Sequence, residues 1–271
     1  MLQRATSLTA SLCVAAGLGL AAPAALAQDK AAQDQDWCDR NHDDDRGWAC
    51  EVREFTLSPS DLLRVDASPN GGIRVEGWDR NEVLVRARLS ARADSDAEAQ
   101  DIVSRITLTT EGRIDSDGPR AGRDESWSVS YRIFAPRSSD LSLSTTNGGI
   151  GIENVAGDID FRTTNGGVKL EAVAGDVRGH TTNGGLDIRL SGSEWQGGGL
   201  DVTTTNGGVR LAIPDGYNAR LETGTTNGGL RFDFPVTVQG RLDRQLTVDL
   251  GSGGKLIRAK TTNGGVVVRR S

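Results

Sequence analysis

Aromatic residues are scarce in this chain of 271 residues, which holds five Trp, two Tyr and five Phe. A core built on large rings is excluded, and a thin one of Val, Ile and Leu is expected instead. Histidine occurs twice and cysteine three times, and the spacings are not those of a zinc site. Basic residues are outnumbered, 31 against 37 acidic, for a net charge of −6. With no basic stripe and no interleaved aromatics, nucleic acid is not an expected partner. Beyond residue 27 no stretch approaches the ~20 apolar residues of a membrane helix. Gly-x-Ser-x-Gly, Walker and His-Glu-x-x-His motifs are missing as well, and neither a cofactor nor a metal is expected.

The chain opens with the layout of a secretory leader. Arg4 precedes an apolar stretch through Leu20, and Ala25-Leu26-Ala27 forms an A-x-A cleavage site. This predicts a signal peptide over residues 1–27, discarded with Cys13, and a mature protein that is exported to the periplasm, cell surface or exterior. Gln28–Asp36 is polar and reads as disordered. The remaining cysteines, Cys38 and Cys50, stand in WCDRNHDDDRGWAC, and an even pair in an exported chain predicts a disulfide. The loop is short and worth roughly 3 kcal/mol or less, enough to pin a flap over residues 28–54. The tandem aspartates of His42–Arg46 lack calcium-loop spacing and read as a solvated loop.

From Phe55 the chain alternates apolar and polar residues, as short strands do. Ser95 with Glu98 forms a capping box and predicts one helix near 96–105. A polar loop, Glu111–Glu125, follows, and strand-like sequence resumes at Trp127. The chain then becomes periodic. TTNGG recurs with its Asn at Asn147, Asn165, Asn183, Asn206, Asn227 and Asn263, in steps of 18, 18, 23, 21 and 36. The last step reads as two periods with one corner eroded. Asn70-Gly71-Gly72 is an earlier partial copy.

Three residues after each Asn stand Ile150, Val168, Leu186, Val209, Leu230 and Val266, and five after stand Ile152, Leu170, Ile188, Leu211, Phe232 and Val268. The column between them is mostly polar: Gly151, Lys169, Asp187, Arg210, Arg231 and Val267. That alternation is the signature of a half-buried strand. Two architectures fit two short strands per period. An antiparallel meander or sandwich would use Asn-Gly as a hairpin turn. A β-solenoid would stack one coil of about 18 residues per period, ~4.8 Å apart. Only the second explains why the whole pentapeptide repeats, because equivalent residues then touch and asparagine amides can form a ladder. Strands this short do not suit a membrane barrel, which needs ~9 to 11 residues per strand.

The NGG corners, the strands after them, PNGGIRVEGWDRNEVLVRARL and SYRIFAP together resemble the bacterial putative-adhesin domain family, exported proteins similar to autotransporter adhesin head domains. The resemblance runs from about Phe55 to the end. It implies a β-solenoid in a periplasmic or surface setting and carries no catalytic residues. The expected domains are an N-terminal β-rich part with a short helix over 55–140 and the TTNGG repeat over 141–271.

Irregular periods mark candidate sites. The repeats after Asn183 and Asn206 are long, and their extra residues, SGSEWQGGG and IPDGYN, each carry an aromatic, Trp195 and Tyr217. Inserts in repeat proteins gather on one face. The two rings therefore read either as a platform for a sugar or as covers over apolar surface beneath their own loops, the commoner outcome. His180 falls in an outward polar column. Asp201 and Glu222 would be vertical neighbours, either a candidate acidic pair for a polysaccharide lyase or hydrolase or, as outward carboxylates on a flat strand surface usually are, solubilising residues. The reading favoured overall is a non-catalytic, adhesin-like surface for an envelope or host glycan or another envelope protein. A polysaccharide-active enzyme stands second, and an accessory factor in envelope-stress signalling third.

Overall fold

The computed structural model describes residues 37–38, 46–234 and 244–271. The expected leader, the polar segment after it and the tandem aspartates at 43–45 lie outside the described residues. The chain divides into two units, residues 1–39 and 40–271. Of the first only Trp37 and Cys38 are described, and the architecture below is that of the second.

The fold is all-β with one described helix. Its regular part alternates between two sheets. One sheet holds the longer strands that end in Thr-Thr-Asn: β8 (Leu141–Asn147), β10 (Ala156–Asn165), β12 (Ala174–Asn183), β14 (Gly199–Asn206), β16 (Ala219–Asn227) and β19 (Leu256–Asn263). The other holds the short strands that follow each Gly-Gly: β9 (Ile150–Glu153), β11 (Val168–Glu171), β13 (Leu186–Arg189), β15 (Val209–Ile213), β17 (Leu230–Phe232) and β20 (Val266–Arg270). Each Asn-Gly-Gly thus carries the chain from one sheet to the other, and these strands pair in parallel with their counterparts in neighbouring repeats. Register is residue for residue: Thr163 faces Thr181, Asn165 faces Asn183, and Val168 faces Leu186. The two apolar columns turn inward and, apart from Leu230 and Phe232 at the end, are buried. They meet Ile159, Phe161, Val177, Leu200, Val202 and Ile257 from the opposite sheet in one core. Phe161 fits because its neighbour is Gly179, where a Cβ would lie 2.3 Å from the ring.

The N-terminal part supplies the first repeat. β2 (Leu63–Asp66) pairs with β8, and after Asn70-Gly71-Gly72 the chain enters β3 (Ile73–Trp78), which pairs with β9. Three long strands extend that sheet: β7 (Ser126–Pro136) parallel to β3, then β4 (Val83–Ala93) and β1 (Gly47–Leu57) antiparallel. The boundary expected near residue 54 is therefore corrected, because β1 pairs with β4 in unbroken register from Gly47 opposite Ala93 to Leu57 opposite Val83. The helix α1 (Asp96–Ser104) begins where the capping box placed it, with the Glu98 N–H donating to Ser95 Oγ at 3.3 Å. A small hairpin joins β5 (Thr107–Thr109) and β6 (Asp115–Asp117).

The order of the repeats departs from sequence. The final repeat, β19 and β20, inserts between β14/β15 on one side and β16/β17 on the other. Among the described residues the 36-residue step holds no eroded parallel repeat. It holds β18 (Gln245–Leu250), which closes one sheet by pairing antiparallel with β16. Every repeat offers the same corner, so corners alone do not choose between the two orders. Outward charges do. Sequential stacking would set Asp201 beside Glu222 and Arg210 beside Arg231, and like charges directly opposite are unfavourable. With the last repeat inserted, Arg258 stands between Asp201 and Glu222, and Val267 separates the two arginines.

The corner itself explains its spelling. Seven asparagines form one ladder in spatial order. Asn147 donates to Asn70, Asn165 to Asn147, Asn183 to Asn165, Asn206 to Asn183, Asn263 to Asn206 and Asn227 to Asn263, each side-chain bond 2.8–2.9 Å. The first threonine points inward, and its hydroxyl donates to the carbonyl of the first glycine next door: Thr145 to Gly71, Thr163 to Gly148, Thr181 to Gly166, Thr204 to Gly184 and Thr261 to Gly207, at 2.7–2.8 Å. Thr225 departs, donating to the Thr262 carbonyl at 3.4 Å. That glycine carbonyl also fills the space a side chain would need. A Cβ on Gly166 would lie 1.9 Å from the Gly148 oxygen, whereas one on Gly167 would lie 3.5 Å from the Gly185 oxygen. The first glycine is obligatory and the second tolerant. Gly166→Ala is expected to cost at least ~3 kcal/mol in urea denaturation, and Gly167→Ala under ~1 kcal/mol. Equal losses would contradict this account of the corner.

Candidate functional site

The outer face of the ten-stranded sheet carries a groove of about 530 Å³. Its position follows from the repeat. The second glycine of each corner, as in Gly149, Gly167 and Gly185, leaves a strip of bare backbone along the edge of the sheet. In the next outward column, where neighbouring strands present Arg74 and Lys169, β9 has Gly151. The wall is broken there, and the backbone becomes the floor. Arg74, Lys169, Asp187 and Arg210 stand along the rim, with Glu153 and Glu171 one outward column further on.

Both signs of charge line the groove and largely compensate one another. Arg74 pairs with Glu153 at 3.1 Å, and Glu171 is held at 2.7 Å by both Lys169 and Arg189. The hydrogen bond from Lys169, followed by that from Arg189, holds the Glu171 carboxyl below the usual glutamate range despite some desolvation. Such a site offers paired donors and acceptors around a flat floor. It suits hydroxyl-rich, uncharged ligands better than an ion of either sign, which would meet a like charge among the same six groups. Beside it on the same face Trp78 stacks on Phe134, with ring centroids 5.5 Å apart, and the Arg80 guanidinium lies 4.8 Å from the Trp78 ring centre.

The sequence-derived candidates fare differently. Trp195 and Tyr217 are 5% and 3% exposed, so neither ring is presented as a platform. Their loops fold over the core, and the Trp195 indole N–H donates to the Gly175 carbonyl at 2.9 Å. Burial pushes the Tyr217 hydroxyl up to about 12, with the Glu194 carboxylate adding to the shift. Cys38 and Cys50 are both disulfide-bonded. His180 is half-buried and shares a 2.9 Å hydrogen bond with the Thr203 hydroxyl.

The acidic pair is corrected too. Arg258 lies between the two carboxylates, at 2.9 Å from Asp201 and 2.9 Å from Glu222. Glu222 is held below its usual value, first by the Arg258 hydrogen bond and then, against desolvation, by the charges of Arg258 and Lys260. A general acid needs the opposite shift. Gly151 stands in the polar column without any motif to mark it as part of a site, and Trp78 and Phe134 are too far apart in sequence to announce their stacking. The only signal for the groove was a single glycine in an otherwise mainly charged column.

A family model described as Toastrack DUF4097 matches residues 69–269. No curated protein matches the chain. Among solved structures, a putative cell adhesion protein from Clostridium sporogenes is similar at 10% identity and a TM-score of 0.47, covering 82% of this chain and 100% of its own. A putative adhesin from Bacteroides fragilis gives 9% and 0.43, with coverage of 82% and 97%. A putative lipid binding protein from Parabacteroides distasonis gives 10% and 0.28, with coverage of 82% and 96%.

Two outcomes follow from the inserted repeat and the buried indole. The Glu222 carboxyl titrates below 4.5 when folded, so its contribution is present above about pH 4.5 and is lost as pH falls through the folded value. Arg258→Ala should therefore destabilise by about 1 kcal/mol near neutral pH, with the gap to the unmutated protein closing as pH falls below about 4.5. A gap independent of pH in chemical denaturation would refute the bridging role. Trp195→Ala should cost about 3 to 5 kcal/mol by the same method, the mark of a core residue.

Proposed function

This chain belongs to the Toastrack DUF4097 family, and we propose that it is a non-catalytic, exported β-solenoid whose ligand face is the outer side of the ten-stranded sheet. The observation that carries this reading is the groove at Gly151. A strip of backbone is left uncovered there between side chains of both signs, in a sheet held rigid by in-register stacking. The ligand class is a neutral glycan lying across the strands. Its hydroxyls would bond to Arg74, Lys169, Asp187 and Arg210, and its ring faces would rest on the glycine floor. Planar guanidinium and carboxylate groups are well shaped to take pairs of hydroxyls.

Export is supported by the disulfide at Cys38 and Cys50 and by the sequence layout of residues 1–27. No helix among the described residues is long and apolar enough to cross a membrane. Adhesion suits this chain better than polysaccharide cleavage, because the carboxylates expected to act as a pair, which lie on the other, eight-stranded sheet, are each held by Arg258.

Gly151→Gln tests the face. A Cβ at Gly151 meets only the Arg74 side chain, at 3.7 Å, so a longer chain fills the notch and leaves the fold intact. The protein and the variant are passed over immobilised neutral glucan, chitin and isolated peptidoglycan, scoring retention and release of reducing sugar together. The expected result is retention on at least one matrix, weakened roughly ten-fold or more by Gly151→Gln at unchanged thermal stability. Retention indifferent to the variant would move the ligand face elsewhere, and released sugar would favour an enzyme.

A further inference from the structure

Seven Asn-Gly dipeptides lie in the stack, and six are protected in the same way. The backbone N–H of the glycine after each asparagine donates to the asparagine carbonyl of the adjacent repeat: Gly71 to Asn147, Gly148 to Asn165, Gly166 to Asn183, Gly184 to Asn206, Gly207 to Asn263 and Gly264 to Asn227, at 2.9–3.1 Å. The seventh is Asn227-Gly228. Insertion of the last repeat makes Asn227 the terminal rung, with no asparagine carbonyl beyond it among the described residues. The Gly228 N–H makes no hydrogen bond among the described residues. Thr226, Asn227, Gly228 and Gly229 are all exposed, and a Cβ built on Gly229 would meet nothing within 4 Å.

We propose that Asn227 is a site of spontaneous covalent modification, the one rung of the ladder open to deamidation. The Gly228 amide nitrogen attacks Cγ of Asn227. A new C–N bond closes a five-membered succinimide, the bond from Cγ to the side-chain nitrogen breaks, and ammonia departs with the amide proton. Water then opens the ring at either carbonyl to leave aspartate or isoaspartate, a net exchange of NH for O that adds about 1 Da. Elsewhere in the ladder the attacking nitrogen must first release a hydrogen bond that lies inside the stack, so reaction waits on local opening. At Asn227 no such bond holds it. The product matters to the structure, because a carboxylate at position 227 cannot donate to the Asn263 side-chain oxygen, and the terminal repeat loses its rung.

The chain contains its own controls, since the local sequence is the same at each of the six TTNGG corners. Trypsin releases Leu221–Arg231, Thr163–Lys169 and Thr261–Arg269, each with one TTNGG. Native protein is held for days at mildly alkaline pH, sampled, digested briefly and weighed by mass spectrometry, beside protein kept unfolded in urea. Each native rate is divided by the unfolded rate of the same peptide. The expected ratio at Asn227 exceeds those at Asn165 and Asn263 by about ten-fold or more. Equal ratios at the three positions, or a higher one at Asn165 or Asn263, would overturn the proposal.

Discussion

One backbone contact governs this molecule. At each corner the carbonyl oxygen of a glycine occupies the place where the next repeat would otherwise carry a side chain, 1.9 Å from a built Cβ in the case of Gly166. A corner so close leaves that oxygen unable to join the sheet ladder, and a buried carbonyl must find a donor. The threonine hydroxyl supplies it. The asparagine then ties the outer rim of the corner while the glycine strip leaves the sheet edge bare. Threonine, asparagine and glycine are thus three answers to one steric demand, and the groove is a by-product of the same demand.

Much of the fold was legible in the sequence because stacking makes position and contact the same thing. The columns beginning at Ile150 and Ile152 are apolar and buried, Thr163 meets Thr181, Asn165 meets Asn183, and Ser95 caps the helix. The place of the last repeat was not legible. All corners are interchangeable, and the choice lies in two outward columns that flank them by a few residues, through Arg258 and Val267. Counting residues between corners reports how far the chain travels, and says nothing of where it returns.

The candidate site was less legible than the fold. Aromatic inserts draw attention in a chain with few rings, but Trp195 and Tyr217 are inside, because a loop beside a thin aliphatic core gains more by covering it than by facing water. The groove came from a missing side chain, Gly151, and a gap in a charged column carries almost no weight in a single sequence. Likewise Asp201 and Glu222 looked paired only for as long as the repeats were imagined in chain order; their true neighbour is Arg258.

The inserted repeat also bears on how the protein comes into being. A chain is made from its N-terminus, and parts that can fold early generally do so. Here Ala219–Phe232 is synthesised before Leu256–Arg270, yet ends up on the far side of it. The earlier segment must wait, or dock directly on β14 and β15 and later make way. The later-made segment therefore completes the interior of the stack, and a chain cut short before Leu256 would lose a middle layer while keeping the layers on either side of it.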